Sequence, residues 1–229
     1  MTEVRSQFHA DMEALETRLV EMAERASDQI SEAVASLISG DVTRAETVVA
    51  SDEEIDRIYL EIENRWHEIM ARQTPVASDL RRMTLILSAN HSVERIGDQS
   101  VNIAEVTRAT EGLPRREPIL LHIREMCDLV VPMLGVAVEA LVKRDLSLAL
   151  RLPEMDEPVD LLNRNMYREV ADCGPDHDLL EWAVRMMLVA RALERVGDRA
   201  VDIAEQVAFL LTGVFREFSH DNSIHLDAT

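Results

Sequence analysis

Two segments of this sequence carry acidic side chains at a spacing that gathers ligands for a metal ion. Residues 94–105 read ERIGDQSVNIAE, and residues 194–205 read ERVGDRAVDIAE. On a helix, positions four apart differ by about 40° in azimuth and positions eleven apart by about 20°. The first stripe is Glu94, Asp98, Asn102 and Glu105, and the second stripe is Glu194, Asp198, Asp202 and Glu205. Like charges so placed destabilise an isolated helix, so each stripe needs compensation.

A shorter acidic pattern precedes each stripe. The segments DEEID at 52–56 and DEPVD at 156–160 each carry two aspartates four residues apart. When a tight turn joins antiparallel helices, residues equidistant from the turn lie opposite one another. Two pairs are equidistant from Pro75: Asp52 with Asp98, and Asp56 with Glu94. Two pairs are equidistant from residue 177, beside the Cys173-Gly174-Pro175 break: Asp156 with Asp198, and Asp160 with Glu194. Each half is therefore predicted to bring four carboxylates face to face.

Facing carboxylates of this kind suit hard cations. An all-oxygen ligand set favours magnesium, manganese, calcium or iron, with zinc as a further candidate. The predicted metal ligands are Asp52, Asp56, Glu94, Asp98, Asp156, Asp160, Glu194, Asp198 and Asp202. Asn102 stands where the second half has Asp202, so the two sites are expected to bind metal unequally.

Two other interpretations stay open. Arg95, Arg195 and Arg199 could fold over the stripes as a salt-bridge network, which would make the chain a purely structural interaction module. A metal-dependent hydrolase is the second alternative, and a deep pocket beside the carboxylates would favour it. The sequence has no nucleophile and base pair and no glycine-rich phosphate loop, so we expect no enzyme and no catalytic residues.

Nearly continuous helical periodicity, with seven Gly, seven Pro and 3% aromatic residues, predicts an all-α fold. The breakers delimit six helices, at roughly 8–39, 42–73, 76–110, 118–143, 146–172 and 176–213. Pro158 is expected to kink the fifth helix or to make it start afresh, because an internal proline costs about 3 kcal/mol.

The order of elements repeats, which indicates an internal duplication. The two stripe segments match at eight of twelve positions at an offset of one hundred residues. We predict two tandem three-helix bundles, at 1–112 and 113–217, followed by a disordered tail at 218–229.

Composition narrows the class of partner. The formal net charge of -19 repels nucleic-acid backbones and anionic lipid. The longest uncharged stretch of the most apolar region, 129–138, is about half of what a membrane span needs, so no span is predicted. The two cysteines are far apart and form no CxxC pattern, which fits a reducing cytoplasm.

With these motifs in view, the sequence resembles the PhoU family of phosphate-uptake regulators. The resemblance runs from Arg5 and Phe8 through DEEID to the doubled ER(I/V)GD…IAE motif, which is its most specific part. It implies tandem three-helix bundles whose (Glu/Asp)-x-x-x-Asp motifs bind multinuclear metal clusters. Those motifs fall on Asp52, Asp56, Glu94, Asp98, Asp156, Asp160, Glu194 and Asp198.

The resemblance also implies a biological role that composition does not show. Members of this family are cytoplasmic, often dimeric adaptors. They link the phosphate ABC transporter, through its ATPase subunit, to a sensor histidine kinase, and they repress phosphate-starvation genes when phosphate is plentiful. We therefore expect a homodimeric negative regulator of phosphate uptake and signalling.

Overall fold

The structure is a computed structural model that describes the backbone of residues 2–218 and the side chains of residues 5–218. The described residues form helices without strands, which confirms the all-α prediction. The helices are α1 (Thr2–Ser39), α2 (Val42–Gln73), α3 (Ala77–Ala109), α4 (Glu117–Lys143), α5 (Leu146–Ala149), α6 (Leu152–Ala171) and α7 (His177–Thr212). Apart from Phe218, the tail predicted to be disordered lies outside the described residues.

The predicted breaks between helices coincide with capping residues. Asp41 caps α2 by accepting a hydrogen bond from the backbone N–H of Arg44, and Asp176 does the same for α7 at Leu179. Gly40 lies in the left-handed region with φ of 72°, where a residue without a Cβ atom is least strained. Local sequence chemistry therefore accounts for where these helices begin and end.

The predicted fifth helix is wrong in one detail. The chain breaks at Leu150 and Arg151, which separates the four-residue α5 from α6, and it does not break at Pro158. Asp145 caps α5, and Pro153 lies in the first turn of α6, where its missing N–H has no helical partner to lose. Pro158 is exposed inside α6, and the helix continues through it.

The two halves pack against each other as well as within themselves. Helices α1, α2 and α3 form the first bundle, and α4, α6 and α7 form the second. Helix α3 lies antiparallel along α7, since Arg81 near the start of α3 donates to the carbonyl of Leu210 near the end of α7. A single hydrophobic core runs through both bundles. The predicted boundary near residue 112 stays a prediction.

Two arginines tie the halves together at their ends. Arg144 donates to Glu16 on α1, which also accepts a paired contact from Arg82 on α3 at 2.7 and 2.8 Å. Arg115, in the linker, donates to the last carbonyls of α1, those of Leu37 and Ile38. The Arg115 contacts lie in the last turn of α1, where carbonyls lack their usual intrahelical partners, and they add to the hydrogen bond that Leu37 accepts from the N–H of Gly40. No helix between residues 2 and 218 is long and apolar enough to cross a membrane.

Candidate metal centre

In the first half, Asp52 on α2 lies against the backbone of α3 beside the first stripe. A Cβ atom on Gly97 would lie 3.0 Å from Oδ1 of Asp52, so the glycine makes room for this carboxylate. Burial raises the pKa of Asp52, and the charges of Asp56 and Asp98 raise it further, while a hydrogen bond from Gln29 at 3.2 Å opposes the rise. The predicted register therefore brings these three aspartates into electrostatic contact.

Glu94 completes the first set of carboxylates. Burial raises the pKa of its half-buried side chain. The charges of Asp98 and Asp56 raise this pKa further, and the charge of Arg95 lowers it. Arg95 lies 3.4 Å from Glu94 and 3.7 Å from Asp98, both measured from guanidinium nitrogen to carboxylate oxygen. His91 is turned towards Leu87 and Tyr59, with its Nδ1 2.8 Å from the Leu87 carbonyl oxygen.

The second half repeats this arrangement with deeper burial. Asp156 on α6 is 4% exposed, and its Oδ1 atom would lie 2.4 Å from a Cβ atom on Gly197. Glu194 is 7% exposed, and its Oε2 atom has no hydrogen-bond partner among the described residues. Burial raises the pKa of Glu194, and the charges of Asp198 and Asp160 add to the rise. Removing this many carboxylates from water is unfavourable without a cation.

Asp198 and Asp202 extend the second stripe along α7. Burial raises the pKa of Asp198, Arg191 opposes the rise, and the charges of Asp160 and Asp202 reinforce it. Burial also raises the pKa of Asp202, whereas the charge of Arg199 and its 2.6 Å hydrogen bond to Asp202 lower it. At the end of the stripe, Glu205 accepts a hydrogen bond from the backbone N–H of Phe218.

The alternative salt-bridge interpretation has direct structural support, with one change of residue. Arg95 and Arg199 pair with stripe carboxylates, as that interpretation predicts. Glu194 pairs with Arg191, one turn earlier on α7, which is not one of the three arginines named in that interpretation. Arg191 and Arg195 both lie close to Glu194 along the chain, and the sequence does not indicate which of them pairs with it.

Sequence reasoning also missed Gln29, the α1 residue that contacts Asp52. It lies 23 residues from Asp52 on a different helix, and no motif marks it. Its Nε2 atom also lies 3.3 Å from the carbonyl oxygen of Val48. Only the packing of α1 on α2 indicates this contact.

The stripes fit a hard cation in the kind of ligand they offer. The donors are carboxylate oxygens, and a glycine in each half lets an aspartate approach the stripe helix. Glu194 carries a buried oxygen that has no hydrogen-bond partner within the described part of the chain. Among the described residues, no three His, Cys, Asp or Glu side chains already converge on one point. Binding would therefore require side-chain rotation and release of the paired arginines.

The fold and these stripes define a class of proteins: duplicated helical bundles with an acidic (Glu/Asp)-x-x-x-Asp motif on two helices of each half. The sequence profile of the PhoU domain matches the chain twice, at residues 19–107 and 123–207. The chain belongs to the PhoU family.

One relative is the phosphate-specific transport system accessory protein PhoU homolog 1 of Thermotoga maritima. It is 31% identical over 207 residues, which cover 90% of this chain and 89% of the relative. The crystal structure of PhoU from Pseudomonas aeruginosa superposes with a TM-score of 0.85 at 30% identity, over 90% of this chain and all of that one. The phosphate transport system regulatory protein PhoU from Streptococcus pneumoniae has a TM-score of 0.84 at 24% identity, covering 91% and 99%, and supports the fold alone.

Proposed function

We propose that this protein is an accessory, regulatory protein of a phosphate-specific transport system. The observation that carries the proposal is the family match in both halves, together with a relative of that name aligned over nearly its whole length. The shared two-bundle architecture supports it. The relatives compared above are named as accessory or regulatory proteins, which favours a role without catalysis.

The finer role follows from the family resemblance. The protein is a cytoplasmic adaptor that links the ATPase subunit of a phosphate ABC transporter to a sensor histidine kinase, and it acts as a homodimer. A net charge of -19 supports action through proteins and not through DNA. Four exposed apolar residues along one face of α7 offer a contact surface for a protein: Leu180, Val184, Met187 and Leu188.

A gene deletion tests the regulatory role. Cells that lack the protein are expected to express a phosphate-starvation reporter in high phosphate, because the repressing adaptor is gone. Restoring the gene is expected to silence the reporter again. A reporter that stays silent in the deletion strain would contradict the role.

The second part of the proposal is that each half binds a divalent or trivalent cation through its facing carboxylates, with iron, manganese, magnesium and zinc as candidates. When bound, such an ion would neutralise carboxylates that the fold removes from water. In the first half the ligands would be Asp52, Asp56, Glu94 and Asp98; in the second they would be Asp156, Asp160, Glu194, Asp198 and Asp202.

Metal analysis of protein purified without chelator tests these ligands. The double variant Asp98→Asn and Asp198→Asn is expected to lose most of the bound metal, because one ligand disappears from each half. Asp128→Asn, at an exposed position of α4 away from the stripes, is the matched control and is expected to retain it. Equal metal in the double variant and the parent would reject the ligand assignment.

The arginine pairs favour one alternative, a structural module without metal. Arg95, Arg191 and Arg199 already offset part of the stripe charge. Thermal melts with and without EDTA distinguish the two, since an ion bound only to the folded state raises the melting temperature by mass action. The protein is first incubated with each cation in turn. Identical melting curves with and without EDTA, together with metal analysis that finds no bound metal in either sample, would favour the structural module.

A polar cleft keeps the hydrolase interpretation open to test. A cleft of about 600 Å³ between α3 and α7 is lined by His91, Arg95, Arg199, Asp202 and Glu205, among others. A hydrolase would release phosphate from a generic phosphomonoester in the presence of manganese. The accessory role predicts no turnover above that of the double variant described above.

A further inference from the structure

The second bundle contains a buried histidine that faces a hydrogen-bond acceptor on each ring nitrogen. His122 on α4 is 8% exposed. Its Nδ1 lies 2.6 Å from Oε1 of Glu169, and its Nε2 lies 3.0 Å from the carbonyl oxygen of Leu162, both on α6. The carbonyl oxygen can only accept. A neutral imidazole has one N–H and can therefore satisfy only one of the two contacts, whereas the imidazolium has two.

We propose that His122 is held as an imidazolium and acts as a proton-dependent latch between α4 and α6. With both nitrogens protonated, the ring donates to the Glu169 carboxylate and to the Leu162 carbonyl. Loss of the proton from Nδ1 leaves a lone pair facing a carboxylate at hydrogen-bond distance. That contact is repulsive, so α6 is expected to loosen from α4 as the pH rises.

The carboxylate of Glu169 has few polar neighbours besides the His122 ring. Its second carboxylate oxygen, Oε2, is buried and has no hydrogen-bond partner among the described residues. Arg116 and the Cys173 thiol lie close by, but both contact the backbone carbonyl of Glu169 and not its carboxylate. Arg116 also contacts the Cys173 sulfur at 3.6 Å. In the described part of the chain, the side chain at ion-pair distance from this carboxylate is the ring of His122.

The first bundle has an arginine, which does not titrate at physiological pH, at the position that corresponds to His122. Helices α1 and α2 correspond to α4 and α6 at an offset of 104 residues, the separation of Asp41 from Asp145. Arg18 occupies the position of His122, and it binds Glu61 on α2 at 2.9 and 3.2 Å. Glu61 corresponds to Asn165, one helical turn before Glu169. An arginine stays charged at all physiological pH values, while histidine changes charge between about pH 5 and 8. The first bundle thus joins its first two helices near this level through a side chain whose charge does not change with pH.

Glu169→Gln is the variant that tests the latch without removing the contact. The amide that this substitution introduces can donate to Nδ1 of a neutral ring, while Nε2–H donates to the Leu162 carbonyl. The variant is expected to hold a neutral histidine and to make the link insensitive to pH. Between pH 6.5 and 8.5 the melting temperature of the parent is expected to fall by about 3 °C more than that of the variant.

Histidine ¹⁵N NMR at pH 7.5 provides the direct readout, with His122→Phe used to assign the signal. In the parent, both ring nitrogens are expected at the imidazolium shift, although a histidine in an unfolded chain is only about one tenth charged at that pH. Amide exchange, corrected for intrinsic rates, is expected to quicken in residues 162–171 between pH 6.5 and 8.5, but not in α2. A neutral His122 ring in the parent, or identical pH profiles of parent and Glu169→Gln, would overturn the proposal.

Discussion

Oδ1 of Asp156 lies so close to Gly197 that a Cβ atom at this position would stand 2.4 Å away. The same relationship exists in the first half, where Oδ1 of Asp52 would be 3.0 Å from a Cβ atom on Gly97. In both halves, a mid-helix glycine of the duplicated motif lets an aspartate from the facing helix approach the stripe backbone. The glycine and the aspartate are thus two parts of one contact.

Gly197→Ala is expected to destabilise the protein, although alanine is the better helix former by about 1 kcal/mol. The added methyl group must displace a buried carboxylate, and overpacking of this kind costs about 1–3 kcal/mol. We expect a net loss of about 1 kcal/mol in urea unfolding. Gly97→Ala is the matched control, and it should lose less because Asp52 is half-buried and can move. A more stable Gly197→Ala variant would contradict the contact.

Asp198→Asn is expected to stabilise the metal-free protein at neutral pH. Burial raises the pKa of Asp198, so the folded state holds its proton more tightly than the unfolded state. The charged carboxylate therefore lowers stability above the raised pKa, and this cost vanishes as the pH falls below the ordinary value of 3.8. In EDTA at pH 7.5 we expect the melting temperature to rise by about 1–2 °C, given some tenths of a kcal/mol per like-charge pair.

The control for this prediction is the same comparison near pH 4, where the difference between parent and Asp198→Asn is expected to shrink. With a binding cation present the sign reverses, because the ion stabilises only a protein that can hold it. A variant that is less stable in EDTA at pH 7.5 would show that the carboxylate makes a favourable contact in the absence of metal.

Arg95→Gln and Arg199→Gln are expected to tighten cation binding. Each arginine pairs with stripe carboxylates that the cation would need, so its removal frees those oxygens. A partly exposed pair contributes about 0.2–1 kcal/mol, which corresponds to an affinity gain of roughly 1.4- to 5-fold by calorimetric titration with manganese. Arg185→Gln, which removes an exposed pair with Glu181, is the control. Weaker binding in the stripe variants would mean that the arginines assist the site.

Arg144 is expected to tolerate glycine better than alanine. It lies in the left-handed region with φ of 56°, at the place where the first half has Gly40. Both substitutions remove the contact with Glu16 that joins the halves, but only glycine relieves the backbone strain. Urea unfolding is expected to find Arg144→Gly more stable than Arg144→Ala by about 1 kcal/mol. Equal losses would show that the left-handed conformation costs nothing here.

The helical path of the chain could be predicted because its signals are local. The positions of Gly40, Asp41 and Pro75 mark helix ends through backbone conformation and capping, which depend on a few neighbouring residues. The fifth helix was predicted less well, because two prolines in that segment could each mark a helix start. Pro153 lies in the first turn of α6, which begins after the break that follows α5, and Pro158 lies inside the helix.

The candidate site was predictable in its residues and less so in its contacts. Antiparallel pairing of α2 and α3 about Pro75 predicts that Asp52 lies near Asp98, and the charge of Asp98 raises the pKa of Asp52. Helix pairing does not distinguish Arg191 from Arg195 as the partner of Glu194, since both lie within one turn of it and side-chain rotamers decide which one pairs. Gln29 lies on α1, outside the α2–α3 pair, so this pairing does not predict its contact with Asp52.

The duplication, the helices and the azimuth of the two acidic stripes follow from the sequence, because helical periodicity and capping are properties of consecutive residues. Which groups meet across helices is visible in the folded chain alone: Asp156 meets Gly197, Arg144 meets Glu16, and His122 meets Glu169. Those contacts join residues at least 40 positions apart. Their partners follow from how whole helices pack, and packing depends on the combined shape of many side chains and not on any local pattern.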